Sequence, residues 1–456
     1  MWAVGLPHAW PEPPRVMSYS VLREIEICPL RWSLRRAAYP TIWDQQGYPM
    51  AAPLATIEGQ VVHETLERIV VEASEQGTKS SIVDVPAGRL PRSVLSEPGA
   101  DVIGTLRRLG GITAVLESVL KRIAVTWVTN PRLAPRVREW KSELQRRLPV
   151  LRQRVQGMLA DGGVAQAFEA KGSPARRERM HAPGEGGRTR ALGPGVYAEV
   201  PLNNRELGWF GKADLLAVTV DTGRGGSAPT PECEITDFKT GVPREDHKLQ
   251  LRIYALLFAR DKALNPKGWQ ATRLKLVYPD HTLGVEPPAT DEDLERLAAE
   301  LSARTEEARK EISVQPPRGR PAVEACEWCD VKHMCDAYWS AEAPEVQRER
   351  MAQQVPTNLE VSVLSQRSPA SWSAQVTAVS ALGSEVKAGS HILIRSRPSD
   401  MHLGALLRAG RRVRILGGQA LPPSEESNGA VVISLGRSSE VFVVGPPDHE
   451  LADAAS

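Results

Sequence analysis

Asp237 and Lys239 stand one residue apart in the run Glu234-Ile235-Thr236-Asp237-Phe238-Lys239-Thr240-Gly241. The run reads as a short strand ending in a glycine turn. Positions two apart on a strand share a face, so a carboxylate and an ammonium emerge side by side. The carboxylate suits a divalent metal ion. The ammonium suits charge stabilisation on a phosphate or orientation of a water molecule. An Asp-x-Lys triplet also arises by chance as a solvated ion pair, so its weight comes from its surroundings.

Upstream, Gly208-Trp209-Phe210-Gly211-Lys212-Ala213-Asp214-Leu215-Leu216-Ala217-Val218 reads as a second strand, with Asp214 the one acid in an apolar run. An acid there is costly unless it is paired, metal-bound or at a strand end. The Gly-, Ser- and Pro-rich stretch from Asp221 to Pro231 joins the two strands as a hairpin and draws Asp214 towards Asp237. Downstream, Gln250-Leu251-Arg252-Ile253-Tyr254-Ala255 opens an apolar helix, and Gln250 and Tyr254, at i and i+4, share one of its faces. The spacing of Val61, Val62, Leu66, Ile69 and Val70 predicts another helix from Ile57 to Ala73, with His63 and Glu67 together on one side. A lone histidine at such a place is ordinarily a surface or core residue. Beside the other motifs, His63 reads as a metal ligand.

Strand acid, Asp-x-Lys strand, then helical Gln-x-x-x-Tyr is an order that resembles the PD-(D/E)XK nuclease superfamily, and within it the RecB-like exonucleases. Three more stretches carry the resemblance. Gly59-Gln60-Val61-Val62-His63-Glu64-Thr65-Leu66-Glu67 looks like the helix with the metal-binding histidine, and Tyr197-Ala198-Glu199-Val200-Pro201-Leu202 like the strand before the first acid. Ser18-Tyr19-Ser20-Val21-Leu22 followed by Cys28-Pro29-Leu30-Arg31-Trp32 looks like the N-terminal helix. The resemblance runs from Met17 to Tyr338. Trp32 departs from it, since a smaller aromatic is more usual there; the expected effect is on packing alone.

The resemblance implies an α/β fold, a mixed central sheet flanked by helices, that hydrolyses phosphodiester bonds in DNA. His63, Asp214, Asp237 and the Phe238 carbonyl would hold Mg2+ or Mn2+. Lys239 would position or activate the attacking water, and Gln250 and Tyr254 would orient Lys239 or the phosphate. It further implies a single-stranded DNA exonuclease of DNA repair, CRISPR adaptation or anti-phage defence. A non-catalytic DNA-binding scaffold is the alternative. The chain has no Gly-x-x-x-x-Gly-Lys-Ser/Thr motif, so a helicase or other ATPase would be a separate partner.

Five cysteines make an odd count for a disulfide framework. Cys326, Cys329 and Cys335 cluster and leave one coordination position open. Resemblance supplies Cys28 as the fourth ligand, as in the [4Fe–4S] staple of AddB-type nucleases. Spacing equally allows a structural Zn2+. Cys233, within the Asp237 strand, reads as a buried thiol.

At 456 residues the chain favours two or three domains. The expected division is a nuclease domain over 1–345 with a helical insertion at about 100–160, a linker over 346–357, and a barrel over 358–456. In that last region short β-like runs begin at Leu359, Trp372, His391, Arg412, Val431 and Val441, with a short helix at Leu403 to Leu407 between the third and fourth. This is an OB-like layout, with an SH3-like barrel as the alternative. A net charge of +2 does not announce nucleic acid, so any basic footprint is local. One candidate is Arg136, Arg146 and Arg147 around Trp140; another is Arg395, Arg397, Arg411, Arg412 and Arg414 on the barrel. A solvated helical face explains the first group equally well. The Arg-rich stretch from Lys171 to Gly195 is a third expected contact. The sequence shows neither a membrane-spanning stretch nor a secretory start, and points to a cytoplasmic protein.

Overall fold

The computed structural model describes residues 3–4, 7–39, 48–79, 100–162, 191–193, 195–221, 230–280, 283–340, 357–380, 386–396, 401–423, 427, 429–436 and 438–445. Most of the expected linker, Arg397 and nearly all of the stretch from Lys171 to Gly195 lie outside them. In chain order the helices are α1 (Tyr19–Ile27), α2 (Pro29–Arg36), α3 (Leu54–Lys79), α4 (Ala100–Arg108), α5 (Ile112–Thr129), α6 (Val137–Asp161), α7 (Glu245–Arg260), α8 (Asp291–Ser313), α9 (Val323–Glu327), α10 (Asp336–Ser340) and α11 (Met401–Gly404). The strands are β1 (Ala3–Val4), β2 (Gly195–Asn204), β3 (Trp209–Asp221), β4 (Thr230–Phe238), β5 (Arg273–Val277), β6 (Leu283–Glu286), β7 (Thr357–Ser368), β8 (Ser371–Val379), β9 (His391–Ser396), β10 (Arg412–Leu421), β11 (Val431–Leu435) and β12 (Glu440–Val444).

Two compact units divide the chain. One comprises Pro14–Leu22 and Ala52–Glu307; the other comprises Met1–Pro13, Arg23–Ala51 and Ala308–Ser456. The first holds a mixed five-stranded sheet ordered β2-β3-β4-β5-β6, in which β4 and β5 run parallel and the other neighbours antiparallel. The apolar positions read from the sequence between Val61 and Val70 are buried, and they join α5, α6, Val196, Ala198, Leu215 and Phe238 in one core. The helical insertion breaks where glycine permits it: Gly110 and Gly111 have φ of 78° and 90° between α4 and α5. Helix α7 begins at Glu245, ahead of the Gln250 start read from its apolar run. Glu245 and Asp246 occupy its first turn, where acids favour the positive end of the helix dipole.

In the second unit, β7-β8-β9-β11-β10 closes on itself through a β10–β7 pairing, and β9 and β11 run parallel. Alternate residues such as Leu359, Val361, Val363, Ile392, Ile394, Val413 and Ile415 fill its interior. β10 serves β7 and β12 with its first half and β11 with its second. Between the halves Gly417 has φ 71°, and a Cβ there would lie 2.8 Å from the Ser438 carbonyl oxygen. The short helix is α11, a little ahead of the expected Leu403–Leu407, and Gly404 lets it rest on Trp372.

The sequence boundary at 345 does not follow this division. The cysteine-bearing segments group with the barrel: Cys326, Tyr338 and Trp339 form one apolar cluster with Leu416 and Phe442, and Cys335 packs against it. His333 stacks on Phe442 with ring centroids 3.7 Å apart. Asn358 donates to the Tyr338 hydroxyl at 2.8 Å. Among the described residues no helix is long and apolar enough to cross a membrane.

Candidate metal and phosphodiester site

The β3–β4 register pairs Leu215 with Thr236, which sets Asp214 and Asp237 one step beyond that pair. Both acids are buried. Asp214 accepts a 2.7 Å hydrogen bond from the Phe238 backbone N–H through Oδ2, and its Oδ1 lies 3.5 Å from His63 Nε2. Lys239, just past β4, places Nζ 2.7 Å from Asp237 Oδ2 and donates to Gln250 Oε1 at 2.7 Å. Gln250 in turn donates to the Tyr254 hydroxyl at 2.6 Å. The five residues read from β3, β4 and α7 and the histidine from α3 therefore form one cluster. The Phe238 ring is buried in the core.

Burial and the neighbouring Asp214 push the Asp237 carboxyl up to about 7, against the pull of Lys239 and His63. The hydrogen bond to Asp214 raises the His63 pKa, while burial works the other way. Burial raises the Tyr254 pKa, so the phenol stays protonated. Asp237 Oδ2 is buried and meets the Lys239 ammonium at 2.7 Å. Two mutually repelling carboxylates with an imidazole at their edge are a donor set that fits a hard divalent cation. As it stands, no group of three or more His, Cys, Asp or Glu among the described residues is gathered closely enough to hold a metal ion.

Sequence reasoning assigned no role to Glu199, Lys212 or Glu67. Glu199 has φ 53°, the one positive value among the described non-glycine residues. The β2–β3 ladder forms no pair between Glu199 and Asp214, although it pairs the residues on either side. Gly211 turns towards α7, where a Cβ would lie 2.9 Å from the Tyr254 ring. Leu215, four residues on, packs into the α3–α5–α6 core. An unbroken strand would send both to the same side; the alternation is reset at the Glu199–Asp214 step. Glu199 pairs with Lys212, whose ammonium is also 3.9 Å from Glu67. Burial raises the Glu199 pKa, and Asp214 and Glu67 add to the rise. An acid inside an apolar strand was the legible signal; the left-handed backbone was not legible.

Cys28, Cys326, Cys329 and Cys335 line one pocket in the second unit, with Arg31, Arg320 and Lys332 at its wall. The Arg320 N–H donates to Cys28 Sγ at 3.5 Å. Burial pushes Cys329 up to about 12 and Cys335 up to about 11, so a metal would have to displace their protons. Four thiols facing one pocket fit a thiophilic centre in donor type. Cys233 is fully buried in β4 and belongs to the first unit.

Two expected nucleic-acid contacts are corrected. Trp140 is 2% exposed and packs edge-on against Trp127, so it offers no base a stacking face. Arg136 covers it, 4.5 Å from the ring. Arg414 is 6% exposed; it donates to Glu360 at 2.8 Å and to the His333 carbonyl. Arg147 pairs with the buried Glu58. Arg146 and Arg412 stay on the surface, paired with Glu143 and Glu360 respectively. Arg395 and Arg411 are partly buried.

The family model described as the PD-(D/E)XK nuclease superfamily matches residues 16–336. No curated protein matches the chain. Among solved structures, a murine DNA-binding protein bound with double-stranded DNA matches 56% of this chain and 96% of its own at 9% identity, with a TM-score of 0.15. An overlap that low carries no argument about fold or ligand.

Proposed function

The chain belongs to the PD-(D/E)XK nuclease superfamily, and from that membership we propose a metal-dependent deoxyribonuclease centred on Asp214, Asp237 and Lys239. The observation that carries the reading is the cluster in which His63 meets Asp214, the Asp214 charge reaches Asp237, and Asp237 pairs with Lys239, which Gln250 and Tyr254 hold in turn. Four separated segments supply it, and each residue is of a type that can do its part. His63, Asp214, Asp237 and the Phe238 carbonyl would hold Mg2+ or Mn2+, which when bound lowers the pKa of water and offsets charge on phosphate oxygens.

The rest of the work belongs to the side chains. His63 and the Phe238 N–H fix the two oxygens of Asp214 separately, so its carboxylate cannot rotate freely. Gln250 holds the Lys239 ammonium against Asp237, where it orients the attacking water or steadies the phosphate. Tyr254 holds Gln250.

The finer reading is an exonuclease preferring single-stranded DNA, RecB-like, working beside a helicase or other ATPase in DNA repair, CRISPR adaptation or anti-phage defence. What supports it is the order of motifs. The β7-β8-β9-β11-β10 closure with its parallel β9–β11 pair supports the OB-like reading of the barrel. The four-cysteine pocket supports a [4Fe–4S] cluster, with Zn2+ as the alternative.

The test is cleavage of end-labelled single- and double-stranded DNA with Mn2+ by wild type and by Lys239→Ala. Cutting by wild type alone is expected, with product lengths at each label giving polarity. Equal cutting by both sinks the assignment of Lys239. No cutting by either, with DNA still bound, moves the reading to a DNA-binding scaffold.

A further inference from the structure

Beside Lys239 lies a pair that none of the motifs above includes. The parallel β4–β5 register pairs Phe238 with Val277, and the Lys239 N–H donates to the Val277 carbonyl at 2.9 Å. The next residue, Tyr278, therefore stands beside Lys239. Tyr278 is buried, and its hydroxyl lies 3.0 Å from Nδ1 of His247 in the first turn of α7. The rings lie against each other with centroids 5.8 Å apart and planes at 31°. The Arg244 N–H faces the same phenol oxygen, and the Asp237 charge reaches Tyr278.

These partners set the imidazole tautomer. With the Arg244 N–H on its acceptor side, the phenol is placed to direct its own proton to Nδ1, which would leave the ring proton on Nε2. Burial lowers the His247 pKa and Lys239 lowers it further; Asp246 opposes them, and Arg244 adds a lesser lowering. Glu245, the other acid of that turn, is paired with Lys248 at 3.0 Å. A neutral imidazole with a fixed Nε2–H, partly open to solvent beside a lysine and at the positive end of a helix, is a donor for an anionic oxygen.

We propose that His247, its tautomer set by Tyr278, binds a non-bridging oxygen of a substrate phosphodiester and seats the strand beside Lys239. The inference rests on the nuclease reading of the Asp237 site, but its test does not need cleavage. A fluorescein-labelled single-stranded oligonucleotide is titrated in Ca2+ against wild type, His247→Ala, His247→Gln and Tyr278→Phe, with thermal unfolding as a control on folding. KM and kcat with Mn2+ follow on the same variants. A hydrogen bond to a charged oxygen is worth on the order of a tenfold change in affinity or more. The expected results are therefore about a tenfold rise in Kd and KM for His247→Ala with kcat nearly unchanged, recovery of most of it in His247→Gln, and an intermediate Tyr278→Phe. A folded His247→Ala that binds like wild type overturns the inference and leaves the nuclease reading standing. So does His247→Gln behaving no better than His247→Ala. Wild type that binds without cutting overturns the nuclease reading alone; wild type that binds no oligonucleotide overturns both.

Discussion

Glu199 is the residue whose backbone does something its neighbours cannot. A non-glycine residue in the left-handed region costs roughly 1–2 kcal/mol. Here that conformation coincides with the missing Glu199–Asp214 pair and with the reset that sends Gly211 and Leu215 to opposite sides. Glu199→Ala and Glu199→Gly both remove the carboxylate, and glycine alone also relieves the backbone. The glycine variant is expected to be more stable than the alanine variant by about 1 kcal/mol in urea unfolding. Equal midpoints would show that the turned backbone carries no strain. At this scale Asp237, Lys239, Gln250 and Tyr254 are legible in the sequence, because strand and helix periods fix which side chains of a short stretch share a face. His63 needs the surrounding motifs, since a histidine at helical spacing has many ordinary uses. Glu199 is not legible, because φ does not follow from residue type.

Among the elements, β10 carries a residue whose sequence reading and structural place differ. Arg414 belongs to a basic run, and charge density alone suggests a nucleic-acid contact. The strand period decides otherwise. Arg414 pairs in register with Glu360 of β7 and with Phe442 of β12, so strands lie on both sides of it. Its guanidinium is spent on Glu360 and the His333 carbonyl, and lies 5.0 Å from the Trp339 ring. Removing Arg414 leaves the buried Glu360 carboxylate with only the exposed Arg412 to offset its charge. Arg414→Met is therefore expected to destabilise the barrel by about 3 kcal/mol. Arg412→Met, on the surface, is expected to change stability by well under about 1 kcal/mol. Differential scanning calorimetry on the two variants checks this, and equal melting temperatures would contradict the buried-pair account. Helix α7 shows the same limit in milder form. Its apolar run starts at Gln250, but the polar first turn that bears His247 is helical too, because acids at a helix start need no apolar face.

For the whole molecule, the division into units could not be read from spacing. The Asp237 sheet is built from one stretch running from Ala52 to Glu307. The cysteine loop instead meets strands far along the chain, as in the bond between Arg414 and the His333 carbonyl, 81 residues apart. Such pairings depend on complementary surfaces, which no local period records. They also give the cysteine pocket a consequence within its own unit. Cys326 shares an apolar cluster with Tyr338, Leu416 and Phe442, Cys335 borders it, and His333, between Cys329 and Cys335, stacks on Phe442. A metal held by the four thiols would pin that loop against β10 and β12, and its loss would free the loop from both strands. Iron and zinc content identifies what the purified protein carries, and hydrogen exchange then compares it with Cys329→Ser. Exchange is expected to quicken in residues 331–340, β10 and β12, because those backbone groups lose the packing that keeps them closed. It is expected to stay unchanged in α5 and α6, whose core contains no cysteine. Unchanged protection in β10 and β12 would mean that the barrel holds the loop without help from the thiols. Faster exchange across both units would mean that the substitution unfolds the chain generally and that the pocket is no local clasp.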